Sequence, residues 1–338
     1  MRYSKLNRPK VSPDILTRPH LIEKLEKHSH LPLILISAPA GYGKTVLISQ
    51  WLEQHGNNYA WISLDQSMSN SSTFISYFAE TLERSTSVEI PELKNLNQEA
   101  HLLSWESIID IIVNKINELK DPIRLILDDY HLISNREIDW LINAIISENI
   151  DNFRLVLITR WDPPLQLREL RLYQRMLELR IRDLRFNQDE ISELLAREGH
   201  VNFSEDVISE LSTETEGWIL AIRMIVMAWA LLDLKGNKLE YRIITSDLDV
   251  LVDQISDNLD PEFIKRVQLC SLCDHFNEDL IDSIFTHAFN DPGDAGTFLA
   301  KLKDLDFFLL PAADNASWFR FHHLLGDILR RRLAVSYT

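Results

Sequence analysis

Residues 34–48 read ILISAPAGYGKTVLI, a stretch that leaves few choices of fold. A short apolar, β-prone run, Leu33–Ile36, ends at Ser37, crosses Ala38-Pro39-Ala40-Gly41-Tyr42-Gly43 and enters a helix at Lys44-Thr45. Strand, glycine-bearing loop and helix in that order form the setting of a phosphate-binding loop. Loop amides and the positive end of a helix dipole can surround a polyphosphate where side chains stay clear of it. Gly41 and Gly43 permit that approach within the span Pro39, Ala40, Gly41, Tyr42, Gly43, Lys44, Thr45 and Val46. Lys44 would reach the β and γ phosphates, and Thr45 would hold Mg²⁺. The usual first glycine of the pattern is replaced by Ala38. An ordinary turn can carry the same letters, so the reading depends on what surrounds it.

The surroundings are those of an α/β protein. A chain of 338 residues has room for two or three domains, and 45% apolar residues can build a sizeable core. The net charge of −16 argues against direct nucleic-acid binding and against an acidic membrane surface. Cys270 and Cys273 form a lone C-x-x-C with no second pair for zinc and Asp274 where haem attachment needs histidine. They read as buried free thiols. The N-terminus lacks the apolar run of a signal peptide. Trp218–Leu232, interrupted by Arg223, is too short to span a membrane and reads as a fully buried core helix. A cytoplasmic protein is expected.

Taken in order, a proline-punctuated lead precedes a helix over 21–28 and the strand 33–37. Tyr59–Leu64 reads as a second buried strand, 73–82 and 104–119 as amphipathic helices, and 86–98 as a loop. Ile123–Asp129, IRLILDD, is a buried strand ending in two carboxylates. Strand tips of open α/β sheets are where ligands bind, and unpaired charge is costly there. A solvated strand end is the plain alternative; with the upstream loop, Asp128 and Asp129 point to a magnesium and water-organising site. After a helix over 137–147, Phe153–Thr159 forms another strand, whose end carries Arg160, suited to reading a γ-phosphate; an exposed charge capping the strand is the plain alternative. A short strand over 177–181 completes a doubly wound parallel sheet. Helices follow at 189–197, 205–213, 217–234, 261–272 and 278–289, with an aspartate-rich segment at 246–260. A hairpin of 307–310 and 318–321 turning at 314–315, and a helix over 322–333, suggest a winged-helix module.

These landmarks assemble into a resemblance. SAPAGYGKT at 37–45, WISLD at 61–65, LILDDYHLI at 125–133, LVLITRWDPPL at 155–165, DLRF at 183–186, TEGWILAIRM at 215–224 and FRFHHLLGDILRRRL at 319–333 resemble, in order and spacing, the nucleotide-binding oligomerisation core of MalT-like STAND ATPases. These are AAA ATPase-like bacterial transcription regulators of the LuxR family. The resemblance implies a P-loop nucleotide-binding domain over 1–170, a helical domain over 171–238 and a winged-helix domain over 239–338, closing around ADP at rest. It implies that ATP with an inducer or regulatory protein opens the arrangement and permits self-association. By position it makes Lys44 and Thr45 contacts to nucleotide and Mg²⁺, gives Asp128 to Mg²⁺ and Asp129 to the hydrolytic water, and makes Arg160 a γ-phosphate sensor. His322 matches a winged-helix histidine that contacts the β-phosphate of ADP, and Arg18 matches a segment near the adenine. Trp218 follows Gly217 where many STAND proteins place a proline against the base. The family's helical-repeat sensor and helix-turn-helix lie beyond a core of this length, so the chain reads as an excised core or a short relative.

A regulatory switch with slow ATP hydrolysis is the expectation. A non-hydrolysing protein-interaction scaffold on the same fold is the alternative, given Ala38. A small-molecule kinase is a further one, in which the arginines of 168–185 would form a lid; Glu169, Glu178 and Asp183 interleave with them and speak for a solvated surface.

Overall fold

The computed structural model describes residues 2–56, 58–86, 104–148, 150–197, 203–232, 259–289, 294–304, 309–312 and 315–336. The loop expected over 86–98 and the aspartate-rich segment lie almost entirely outside them. The described chain forms two compact units, one of 1–38 with 43–184 and one of 39–42 with 185–338.

The first unit is built on a parallel sheet of five strands in the order β2-β3-β4-β1-β5. β1 is Leu33–Ser37, β2 Tyr59–Ser63, β3 Ile123–Asp128, β4 Phe153–Thr159 and β5 Met176–Leu179. All five residues of β1 are buried, which is why the strand reads as a continuous apolar run rather than an alternating one. β1 lies between β4 and β5, with Leu35 opposite Leu157 and Glu178. Thus the expected short strand is the sheet's edge, and the first unit runs past residue 170 to Leu184. Ile181, expected at the end of that strand, instead begins the short helix α7, Ile181–Leu184.

The remaining helices of this unit are α1 (Pro19–Lys27), α2 (Lys44–His55), α3 (Ser71–Ser85), α4 (Trp105–Asn117), α5 (Arg136–Ser147) and α6 (Leu167–Leu172). Their starts are chemically marked. Pro19 opens α1, Asn70 caps α3 by accepting from Thr73 N at 3.0 Å, and Asn135 caps α5 by accepting from Glu137 N at 2.8 Å. Apolar stripes of α3, α4 and α5, including Phe78, Ile112 and Ile142, join Leu35, Leu125 and Leu155 of the strands in one core.

The second unit begins with α8 (Gln188–Arg197), α9 (Glu205–Thr215) and α10 (Ile219–Leu232). In α10, Ala221, Ile222, Ile225 and Val226 are buried while Arg223 is exposed. This corrects the expectation of a fully buried helix: the described part is one-sided. Among the described residues no helix is long and apolar enough to cross a membrane. α11 (Pro261–Cys270), α12 (Glu278–Phe289), α13 (Ala295–Asp304), the strands β6 (Leu309–Ala312) and β7 (Asn315–Phe321), and α14 (His323–Ser336) follow. β6 and β7 pair antiparallel, and Phe276 adds a backbone bridge to Phe319 with two hydrogen bonds of 2.8 Å. Phe298 packs edge-on against Phe285 at 4.9 Å, so α13, absent from the sequence reading, supplies a core face. Cys270 is buried, and Cys273 is only half-buried.

Candidate functional site

The site starts where β1 ends. Ala38 N donates to Thr159 O at 3.3 Å, so the strand tips stay joined as the chain turns away. Gly41 and Gly43 adopt φ of 76° and 74°, a left-handed region unfavourable to residues with a Cβ. Gly43 occupies the N-cap of α2 without a side-chain cap, leaving first-turn amides available to an anion. Lys44 is the helix's first residue and is buried. Ala38 at the position of the usual first glycine is itself buried, 1% exposed.

Thr45 and Asp128, expected to share Mg²⁺, are side by side: Thr45 Oγ1 donates to Asp128 Oδ1 at 3.1 Å and reaches Oδ2 at 3.2 Å. Asp128 is 3% exposed. Burial, reinforced by the charge of Asp129, pushes its carboxyl up to about 7, against the Thr45 hydrogen bond and the charge of Lys44. A buried carboxylate beside a hydroxyl, short of compensating charge, is an oxygen donor set suited to Mg²⁺. Asp129 takes φ of 61°; its amide donates to Asp128 Oδ1 at 3.1 Å, and its side chain is 43% exposed. Its carboxylate lies 4.0 Å from His131 Nδ1 and is partly open to solvent, whereas that of Asp128 is buried. Arg160 follows β4 and is half-buried.

Sequence reasoning passed over His131 within LILDDYHLI. Its side chain is 4% exposed, and burial, with the charges of Arg160 and Lys44, lowers it to about 3. The signal available was an uncharged imidazole three positions past the carboxylate expected to hold metal.

Arg18 is buried and donates from Nη1 to Leu184 O at 2.8 Å, which ties the N-terminal lead to the end of the first unit. Arg171 donates to Glu178 at 2.8 Å, and Arg180 pairs with Asp162 and Glu178. These arginines are committed to carboxylates. A cavity of about 560 Å³ lined by Lys27, His30, Arg171 and Glu178 includes none of the loop residues.

The crest of the loop, Pro39–Tyr42, groups with the second unit. Trp218 Nε1 donates to Ala40 O at 3.2 Å, and a Cβ on Gly41 would lie 2.5 Å from that nitrogen and 2.8 Å from Leu220 Cβ. Burial pushes the Tyr42 phenol up to about 12. Glu216, at φ of 48°, accepts from Arg185 at 2.7 Å and Arg320 at 2.6 Å, and meets His323 Nδ1 at 3.2 Å. Burial alone would raise its carboxyl, but hydrogen bonds from His323 and Arg320 and the charge of Arg320 hold it well below the usual range.

His322 is 1% exposed; its Nε2 meets Thr215 O at 3.1 Å, its ring lies 5.0 Å from Trp218, and Nδ1 has no hydrogen-bond partner among the described residues. A carbonyl only accepts, so Nε2 carries the proton. Burial, with the charge of neighbouring His323, lowers the ring to about 4. Glu216, His322 and His323 each bring a ligand atom within 4.8 Å of the others. The two arginines on Glu216 oppose a cation there, and the group reads as an ion-pair network. His322 and Trp218 are thus brought together with the loop crest, and Val46 lies half-buried in the first turn of α2.

Residues 252–338 match the MalT winged helix domain family. The HTH-type transcriptional regulator MalT of Vibrio campbellii is 29% identical over 340 residues, covering 98% of this chain and 37% of that protein. MalT of Yersinia pestis is 29% identical over 333 residues, covering 97% of this chain and 36% of its own. The chain therefore spans a little over a third of the length of these relatives. Among solved structures, the Walker-type ATPase paby2304 of Pyrococcus abyssi superposes with a TM-score of 0.56 at 16% identity, over 96% of this chain and 98% of that one. The STAND protein PH0952 of Pyrococcus horikoshii, which has a tetratricopeptide repeat sensor, gives 0.51 at 14% identity over 98% and 44%. At such identities these two likenesses establish the fold.

Proposed function

We propose that this chain, MalT-like along nearly its whole length and built on a P-loop ATPase fold, is the nucleotide-responsive switch of a transcriptional regulator. In this reading residues 39–46 hold the phosphates of ATP or ADP, with Lys44 on the β and γ groups. Thr45 and Asp128 hold Mg²⁺, Asp129 orients the hydrolytic water, and Arg160 senses the γ-phosphate. Arg18 lies towards the adenine, and His322, with its buried Nδ1 lone pair, contacts the β-phosphate of ADP. Mg²⁺, when bound, neutralises charge on the phosphates. Slow hydrolysis would reset the switch, and self-association would follow the ATP state. An inducer or regulatory protein would bias that equilibrium in the longer protein.

The observation that carries this reading is the pairing of Thr45 with Asp128 at 3.1 Å, beside the glycine-capped start of α2. A kinase is less well supported because Arg171 and Arg180 are already paired with carboxylates. The test is to denature the purified chain and identify any released nucleotide, then to titrate ADP and ATP into stripped wild type and Lys44→Ala. Bound ADP or ATP, lost in the variant, is expected. No released nucleotide and no binding on addition would overturn the switch and leave the scaffold reading.

A further inference from the structure

The cavity of about 560 Å³ in the first unit lies where β1 and the edge strand β5 begin. Leu31, two residues before β1, lines it together with Met176 and Leu177 of β5. Leu33 stands opposite Met176 in the sheet. Ser37, where the chain turns towards the glycine loop, is at the other end of β1, about 13 Å away for four steps of a strand. The volume suits a small molecule, and no residue assigned to nucleotide lines the cavity.

The charges on its wall do not cancel. Arg171 donates to Glu178 at 2.8 Å, and Arg171 and Arg180 together close on Asp162 and Glu178. That set is neutral. Lys24 pairs with Asp183 at 2.8 Å. Lys27 makes no ion pair among the described residues, and His28 and His30 share the wall with it. His28 is held in place, since Nδ1 donates to Lys24 O at 2.7 Å. In a chain of net charge −16 a basic wall favours an anion. Cations at the end of α1 also offset the helix dipole, which accounts for Lys27 and His28 but not for the next residue.

Gln174 is kept at a cost. Arg175 N donates to Leu170 O at 2.8 Å and Gln174 N to Arg171 O at 3.2 Å, the paired bonds that close a helix through a left-handed residue. Glycine ordinarily takes that position. Here it is Gln174, at φ of 52°, a conformation strained for any residue with a Cβ. Strain that glycine would relieve points to a use for the side chain, and Gln174 lines the cavity.

We propose that this cavity binds a small organic phosphate, a phosphate monoester on an apolar body. Its oxygens accept from the Lys27 ammonium and the Gln174 amide, with the rings of His28 and His30 beside them. The body lies on Leu31, Met176 and Leu177. A phosphate offers several strong acceptors to donors arriving from separate elements. The site does not depend on the nucleotide reading.

The probe is phenyl phosphate, with inorganic phosphate and phenol as its two halves, followed by ³¹P and saturation-transfer NMR on the purified chain with and without excess ADP and Mg²⁺. Saturable binding of phenyl phosphate is expected, tighter than that of either half and unaltered by ADP. Lys27→Ala and Gln174→Gly should each weaken it by roughly tenfold, the size of a hydrogen bond to a charged group. Both positions are exposed, so neither change opens the core. Gln174→Gly should also melt higher, because glycine accepts the left-handed backbone. A Gln174→Gly chain that melts higher yet binds as wild type overturns the proposal, as does binding that Lys27→Ala leaves intact. Displacement by ADP places the phosphate at the nucleotide loop and overturns the cavity while the switch stands. No saturable binding of phenyl phosphate overturns it whatever the chain does with ADP.

Discussion

Thr45 Oγ1 reaches both carboxylate oxygens of Asp128, at 3.1 and 3.2 Å, across 83 residues of chain. The hydroxyl joins the first turn of α2 to the tip of β3, and the two side chains form one oxygen-rich corner. Thr45→Val keeps the shape and removes the oxygen. It should reduce the Mg²⁺-dependent part of ADP affinity by roughly tenfold, about one charge-assisted hydrogen bond. Calorimetric titration with and without Mg²⁺ measures this, and an unchanged Mg²⁺ increment would count against the shared site.

Asp128 makes the stability of the nucleotide-free protein depend on pH. Its folded value of about 7 stands above the 3.8 of an unperturbed aspartate. Between those values the folded state keeps a proton that the unfolded state has lost. The contribution to stability is therefore full below about 4 and is lost as pH rises towards 7, with a slope of at most about 1.4 kcal/mol per pH unit. Asp128→Asn should abolish this slope. Thermal melts at pH 5 and pH 8 should show wild type losing ground to the variant, whereas parallel profiles would sink the idea.

Gly41 and Gly43 share a positive φ but differ in surroundings. A Cβ on Gly43 meets nothing within 4 Å, whereas one on Gly41 meets Trp218 and Leu220. Gly43→Ala should cost about 1–2 kcal/mol for the left-handed backbone alone. Gly41→Ala should cost a further ~1–3 kcal/mol, because the indole must leave its hydrogen bond to Ala40. Urea unfolding followed by tryptophan fluorescence separates the two; equal costs would be inconsistent with the packed crest.

Glu216 gathers Arg185, Arg320 and His323 within the second unit. Because its folded value is depressed below the ordinary 4.5, it stabilises above that pH, and the stabilisation fades as pH falls towards the folded value. Glu216→Gln should be less stable than wild type by about 1–3 kcal/mol at pH 7, a range that allows for its 21% side-chain exposure. The gap should close as pH falls below about 4.5. A gap independent of pH would place the effect in packing rather than charge.

Much of the fold was legible because each local signal had a local cause. β1 and β4 run over the residues expected of them, since a strand covered on both faces must be apolar throughout. α12 likewise spans its expected residues. α13 was passed over although Phe298 and Leu302, one helical turn apart, are both buried; the segment AGTFLAKLKD is short and carries a glycine in its first turn. Glu178 fits the edge position of β5, where one side of the strand meets solvent, but that β5 pairs with β1 is a non-local fact that its own residues do not carry.

The sequence by itself determined the strand–loop–helix at Ser37–Thr45, the two carboxylates at the tip of β3 and the arginine at the end of β4, because each is written in contiguous residues and in the periodicity of burial. The tertiary structure alone decided which of those groups meet. Thr45 was brought to Asp128, the ring nitrogens of His131 were buried with no hydrogen-bond partner among the described residues, and the loop crest was fastened to Trp218. Such pairings depend on how non-local elements pack and on which polar atoms the packing buries, and no local pattern of residues encodes either.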